Sequence, residues 1–182
     1  MDHLTTEQLE AGLDHIRQAP TDDGRLDLIV QRPADDERVV LEVGELNPVE
    51  GLAGDNWSVR GSRRTDDGSS HPDMQLNIMN TRVLELVAQN QGRMSLAGDQ
   101  LIVDLDLSAA NLPAWTKLSI GGAVIEITDQ PHAGCGKFTR RFGLEAHRFV
   151  NNEIGKELRL RGANARVLVP GTIRPGDVIR KL

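Results

Sequence analysis

The sequence is poor in several things that would otherwise define a function. It holds a single cysteine in 182 residues, so no internal disulfide can staple the chain. It has no tyrosine and only 3% aromatic residues, too few for the stacking platforms that hold single-stranded nucleic acid. Positive charge is outweighed, with a formal net charge of -6, whereas phosphate backbones are gripped by clustered Lys and Arg. Nucleic acid is therefore not an expected partner. No apolar run nears the roughly 20 residues that cross a bilayer, so no membrane partner is expected either. The start, Met1-Asp2-His3-Leu4, lacks the basic and apolar regions of a secretory signal. A reducing, cytoplasmic setting is the expectation.

What is present fits one globular domain over 1–182, with 38% hydrophobic and 26% charged residues. Thr5 and Gln8 have capping-box spacing, and Leu9, Leu13 and Ile16 recur at i, i+4 and i+7. That pattern predicts one amphipathic helix appended within residues 1–20 and stopped by Pro20. Short branched runs bounded by Gly and Pro predict strands at 26–30, 39–43, 74–79, 101–105, 117–120, 123–127, 166–169 and 178–179. Helices are expected at 81–89 and under the stripe Phe142, Ala146, Phe149 and Val150. Many short strands with few long helices between them favour a mostly β, barrel-like fold, antiparallel or mixed, with peripheral helices. By content it is α+β, and it is not a doubly wound parallel sheet. The polar stretch 61–72 is expected as an exposed loop.

The lone cysteine, Cys135, stands in the run His132-Ala133-Gly134-Cys135-Gly136-Lys137-Phe138. Between 132 and 150, Lys137, Arg140, Arg141 and Arg148 face only Glu145, a local balance of 4 − 1 = +3 in an acidic protein. Such charge lowers a thiol pKa from about 8.5 and favours a reactive or metal-binding thiolate. Gly134 and Gly136 remove two side chains beside it, so a ligand could approach, and a helix beginning near Thr139 would turn its positive end towards an anion. His132 is a candidate base for Cys135 or a plain loop residue. The competing reading is a buried cysteine acting as a small hydrophobe, with Arg141, Glu145 and Arg148 forming salt bridges on a solvent face. Gly136-Lys137 is not the end of a phosphate loop, since Pro131 and Phe138 stand where glycine and Ser or Thr are needed. No Cys-x-x-Cys or His-Glu-x-x-His occurs to support a zinc site.

Three blocks resemble the MOSC domain, the family named for the carboxy-terminal domain of molybdenum cofactor sulfurases. They are Gly51-Leu52-Ala53-Gly54-Asp55, then Gly98-Asp99-Gln100-Leu101, and the 117–128 strand pair followed by Cys135 and Lys137-Phe138-Thr139-Arg140-Arg141-Phe142-Gly143. Gly162-Ala163-Asn164-Ala165-Arg166-Val167 and Pro175-Gly176-Asp177 are also similar to stand-alone members. The resemblance covers about 40–182 and departs from the family where Asp55 is followed by Asn56-Trp57 and where Asp99-Gln100 replaces Glu-Asn.

The resemblance implies a pyruvate-kinase-barrel-like fold and a small-molecule ligand, the pyranopterin molybdenum cofactor. Cys135 would be the metal ligand or a persulfide carrier. Lys137, Arg141, Arg148 or the group Arg60, Arg63 and Arg64 would hold the cofactor phosphate, with Asp55 touching ligand or only holding a turn. Reduction of N-hydroxylated compounds, with a redox partner protein, is one implied activity. Sulfur transfer without net catalysis is another, and because the chain has no room for the pyridoxal-phosphate domain of the sulfurases, the sulfur would come from a partner such as a cysteine desulfurase. A non-catalytic ligand-binding module is the third reading.

Overall fold

The computed structural model describes residues 3–182, so Met1 and Asp2, the first two residues of the expected domain, lie outside the described residues. The apolar runs do form strands, and most of them pair antiparallel. They are β1 (Gly24–Gln31), β2 (Val39–Leu41), β3 (Gly44–Asn47), β4 (Gly51–Leu52), β5 (Leu76–Asn80), β6 (Leu101–Asp104), β7 (Lys117–Ile120), β8 (Ala123–Ile127), β9 (Ala163–Val169), β10 (Gly171–Ile173) and β11 (Val178–Lys181). Hydrogen bonding runs β11-β7-β8-β9-β5-β6-β1, and β11 pairs back onto β1, closing a seven-stranded barrel with β2 as a flap on β1. The seam joins Gly24 to Ile179 and Arg25 to Val178. Among the described residues only β5 and β6 run parallel, Ile78 opposite Leu101. A separate three-stranded sheet, β10-β3-β4, sits beside the barrel.

Period-two alternation sends side chains to two cores. Leu76 and Ile78 of β5 and Leu101 and Val103 of β6 point into the barrel with Leu26, Ile125 and Val167. Their neighbours Met79 and Ile102 point outward and meet the helices. Both faces of β5 are therefore covered, and all five of its residues are buried.

The helices are α1 (Thr6–Ala11), α2 (Leu13–Arg17), α3 (Trp57–Arg60), α4 (Thr81–Ala88), α5 (Gly136–Phe142), α6 (Leu144–Asn151) and α7 (Glu153–Glu157). The capping box at Thr5 forms as its spacing predicts. Two expected helices are each divided. The first breaks at Gly12, where a Cβ would lie 2.5 Å from Leu86 Cδ2, so the chain passes close against α4. The second breaks at Gly143, whose φ of +92 lies in the region that favours glycine. The stripe Phe142, Ala146, Phe149 and Val150 is buried as expected, but it belongs to α5 and α6 in succession. Strand β2 is shorter than the expected 39–43, while β3, β4 and β10 carried no strand expectation. Among the described residues, no helix is long and apolar enough to cross a membrane.

Candidate functional site

The segment ahead of α5 has no regular structure, and Cys135 occupies the cap position of that helix, exposed to solvent. The helix begins at Gly136, earlier than the sequence suggests. Its foundation is apolar: Phe138 and Phe142 are each 1% exposed, with ring centroids 4.9 Å apart. Burying two aromatic side chains contributes several kcal/mol, about 1.5–3 each, to fixing the helix that carries the thiol. Arg161 stacks over the Phe138 ring at 5.0 Å. Cys135 is thus a surface thiol on a rigid support, not a buried hydrophobe.

Beside it opens a cavity of about 680 Å³, within the usual range of roughly 300–1,000 Å³ for small-molecule sites. Its walls carry seven cationic side chains, Arg32, Arg38, Arg60, Arg64, Lys137, Arg141 and Arg161, against the single carboxylate of Asp35. Some of these cations are fixed by acids standing behind or beside the wall. Arg32 makes a two-pronged bond to Asp55, through Nε and Nη2 at 2.8 Å each, and its Nη1 donates to Asn77 Oδ1 and the Gly98 carbonyl at 2.9 Å. Arg161 Nη1 reaches both oxygens of Asp99 at 2.8 Å. At the rim, Lys137 pairs with Asp35, and Arg141 Nη2 donates to Asp36 Oδ1 at 2.5 Å.

Arg38 and Arg60 have no carboxylate within ion-pair distance among the described residues. Desolvation lowers the pKa of both from the usual arginine value, although Arg38 is only half-buried and Arg60 stays exposed to solvent. Neighbouring cations add to this, Arg141 and Arg32 for Arg38 and Arg32 for Arg60. Mutually repelling guanidinium groups held together in a concave wall make that wall electropositive. Among the described residues, four buried polar atoms also lack a hydrogen-bond partner: Arg38 Nε, Asn56 Oδ1, His132 Nδ1 and Arg161 Nε. All four residues line this one cavity. Buried polar groups are nearly always satisfied, so their convergence marks a place where a polar ligand or water completes the bonding.

Of the residues singled out in the sequence, Cys135, His132, Lys137, Arg141, Arg60 and Arg64 meet at the cavity. Arg148 does not: it pairs with Glu145 at 2.8 Å on the outer face of α6, the solvent salt bridge that its spacing allowed. Arg63 is exposed and outside the wall. Asp55 is also outside the wall and buried, bonding Arg32 and accepting from the Trp57 N–H at 3.0 Å. It holds a turn and an arginine. His132 Nδ1 lies 3.6 Å from Asp99 Oδ1, beyond hydrogen-bond length. Burial, and then the charge of Arg161, holds its pKa well below the usual 6.5, so the ring is neutral at neutral pH. Burial likewise pushes the Asp99 carboxyl up, opposed by Arg161.

Gly134 does not open space for a ligand. A Cβ there would sit 2.8 Å from Asn151 Nδ2 and 3.1 Å from His147 Cδ2, so the missing side chain lets the loop press against α6. Gly136 faces open space. Arg32, Arg38, Arg161 and Asn56 drew no attention in the sequence. One signal was available, since Arg32 directly follows the last residue of β1, Gln31, and precedes Pro33, the place where a strand end delivers a side chain to a barrel mouth.

No cluster of three or more His, Cys, Asp or Glu side chains suited to a metal occurs among the described residues. Cys135 is the thiol on the cavity wall, and it would be the protein donor to a metal carried in by an organic ligand. The cationic wall and unpartnered donors fit a phosphate-bearing ligand of that kind, and a thiolate suits a soft metal.

A family model described as the MOSC domain matches residues 65–180, leaving the Gly51–Asp55 block ahead of the matched region. No curated protein matches the chain. Among solved structures, the YuaD protein of Bacillus subtilis superposes with a TM-score of 0.65 at 13% identity, over 86% of this chain and 93% of that one. YiiM of Escherichia coli gives 0.55 at 19% identity over 87% and 69%, and YiiM of Geobacillus stearothermophilus gives 0.56 at 14% over 87% and 75%. At these identities the likeness is one of fold.

Proposed function

The chain belongs to the MOSC domain family, and from that premise we propose that its arginine-lined cavity binds a phosphate-bearing pyranopterin molybdenum cofactor, with the Cys135 thiolate as the protein ligand to the metal. The observation that carries this reading is the convergence of four unpartnered buried polar atoms on a cavity with seven cationic side chains. Arg38 and Arg60, free of carboxylates, take the phosphate. Arg32 and Arg161 are preorganised by Asp55 and Asp99, so they meet an anion without first being ordered. Neutral His132 offers the ligand an uncharged hydrogen-bonding group in an otherwise cationic wall. When bound, the cofactor supplies a redox-active metal with an open position, suited to the reduction of N-hydroxylated compounds. Electrons for that come from a redox partner protein.

A second reading is favoured by one feature, the exposure of Cys135 at the mouth of the cavity. A thiolate so placed can attack the outer sulfur of a desulfurase's cysteine persulfide, forming the Cys135 persulfide as the old S–S bond breaks and the desulfurase thiolate leaves, and then pass that sulfur on, with the cationic wall stabilising the anionic sulfur. The deciding experiment is metal analysis of wild type beside Cys135→Ala after expression in a host that makes the cofactor. Molybdenum and pterin retained by wild type, with the metal lost from the variant, is the expected result. Metal-free wild type despite full pterin supply sinks the cofactor reading, and a one-sulfur mass gain on Cys135 after incubation with a desulfurase then supports the carrier.

A further inference from the structure

The loop that presents Cys135 is held from behind by two side chains of α6. Asn151 Oδ1 accepts the Gly134 N–H at 3.0 Å, and His147 Nε2 lies 3.0 Å from the Gly134 carbonyl oxygen, the geometry of an Nε2–H donating to it. The two residues are a helical turn apart and share one face, and Asn151 Nδ2 bonds the His147 carbonyl at 2.9 Å, which locks the amide orientation. Both hydrogen-bonding groups of Gly134 are thus engaged. The missing Cβ of that glycine is what allows this approach, since any side chain would meet Asn151, His147 and Val150. On the other side, the Cys135 carbonyl accepts the Thr139 N–H at 3.0 Å in the first turn of α5. The cysteine is therefore gripped by one helix before it and committed to another after it.

We infer that His147 and Asn151 are the positioning residues of Cys135: by clamping the Gly134 peptide groups they hold the thiol at the mouth of the cationic cavity. Neither residue lines that cavity, so they act through the loop alone. This inference rests on Cys135 being the reactive group of the site, but not on what the cavity binds. Its test therefore uses only the thiol and succeeds or fails separately from metal retention.

The probe is the rate of Cys135 alkylation by iodoacetate, an anion, relative to iodoacetamide, its neutral counterpart. A thiol held beside the cationic wall favours the anionic reagent, whereas one released from the clamp loses that preference. His147→Ala and Asn151→Ala are expected to lower the iodoacetate-to-iodoacetamide rate ratio by about fivefold. His147→Gln and Asn151→Gln, which keep an uncharged donor or acceptor in place, are expected to restore it to within about twofold of wild type. Both sites are half-buried helix positions where alanine is well tolerated, and thermal melting confirms that each variant folds. If an alanine variant does not fold, the ratio in its conservative partner beside that in Gly134→Ala, which pushes the loop off α6, decides in its place. An unchanged ratio in the folded alanine variants overturns the inference. So does a fall that the conservative variants fail to reverse, because the effect would then come from packing.

Discussion

The Arg32–Asp55 pair offers a quantitative test of how the cavity wall is built. Asp55 is fully buried at its side chain and Arg32 is 5% exposed. The carboxylate accepts from Arg32 Nε and Nη2 at 2.8 Å and from the main-chain N–H groups of Arg32 and Trp57 at 3.0 Å. Asp55→Asn keeps the shape, so it creates no cavity. It leaves the guanidinium buried without its counter-charge and turns an NH₂ group towards other donors. Removing one partner of a buried ion pair costs about 3–5 kcal/mol. For a chain of 182 residues, an unfolding entropy of roughly 2.1 cal/mol/K per residue makes each kcal/mol worth about 2.5 °C, so Tm is expected to fall by roughly 8–12 °C in a calorimetric melt at neutral pH. The double replacement Arg32→Met with Asp55→Leu removes both charges and is expected to regain only part of that loss. It regains only part because Asn77 Oδ1 and the Gly98 carbonyl lose their donor. A fall of less than about 2 °C in Asp55→Asn would refute the claim that this pair is desolvated.

His132, with its pKa held well below 6.5 in the folded protein, must take up a proton on unfolding in mild acid. Its contribution to stability is whole above pH 6.5 and is lost as pH falls below that value, by up to about 1.4 kcal/mol per unit. Urea midpoints of wild type at pH 7.5, 6.5 and 5.5 should therefore decline more steeply than those of His132→Gln, and equal slopes would contradict the assignment. Asp35 and Asp36 neutralise Lys137 and Arg141 at the rim. The paired change Asp35→Asn with Asp36→Asn should tighten pyrophosphate binding by about three- to tenfold in low-salt titration calorimetry, and unchanged affinity would show that these carboxylates do not compete with the ligand.

The barrel was legible because its strands announce themselves locally: Leu101-Ile102-Val103 and Ala123-Val124-Ile125 are branched runs ended by turn residues. The three-stranded sheet was not, since Gly44–Asn47, Gly51–Leu52 and Gly171–Ile173 are short and glycine-led, and tertiary pairing alone makes them strands. The same division runs through the site. Lys137 and Arg141 are close to Cys135 in sequence and could be read from it. Arg32, Arg38 and Arg161 come from distant segments and reach the cavity only through barrel closure. Gly134 was noticed for the wrong cause: the glycine serves the approach of α6, which nothing within five residues of Cys135 encodes. Asp55 stands out through the Gly51–Asp55 block and Arg148 through local charge, and the charges that each meets, Arg32 and Glu145, hold them away from the cavity wall; for Asp55 this is the turn-holding alternative.

The seam between β1 and β11 also has a consequence in time. A chain emerging from the ribosome makes the Cys135 loop well before residues 178–181, whose pairing with β1 and β7 closes the barrel. Until that last strand is released, the thiol exists without the finished wall of guanidinium groups, and the final step joins partners more than 150 positions apart, the kind of contact that slows folding. Nascent protein therefore passes through an interval in which its one thiol, exposed in the finished fold as well, is made before the barrel that brings the guanidinium groups around it has closed.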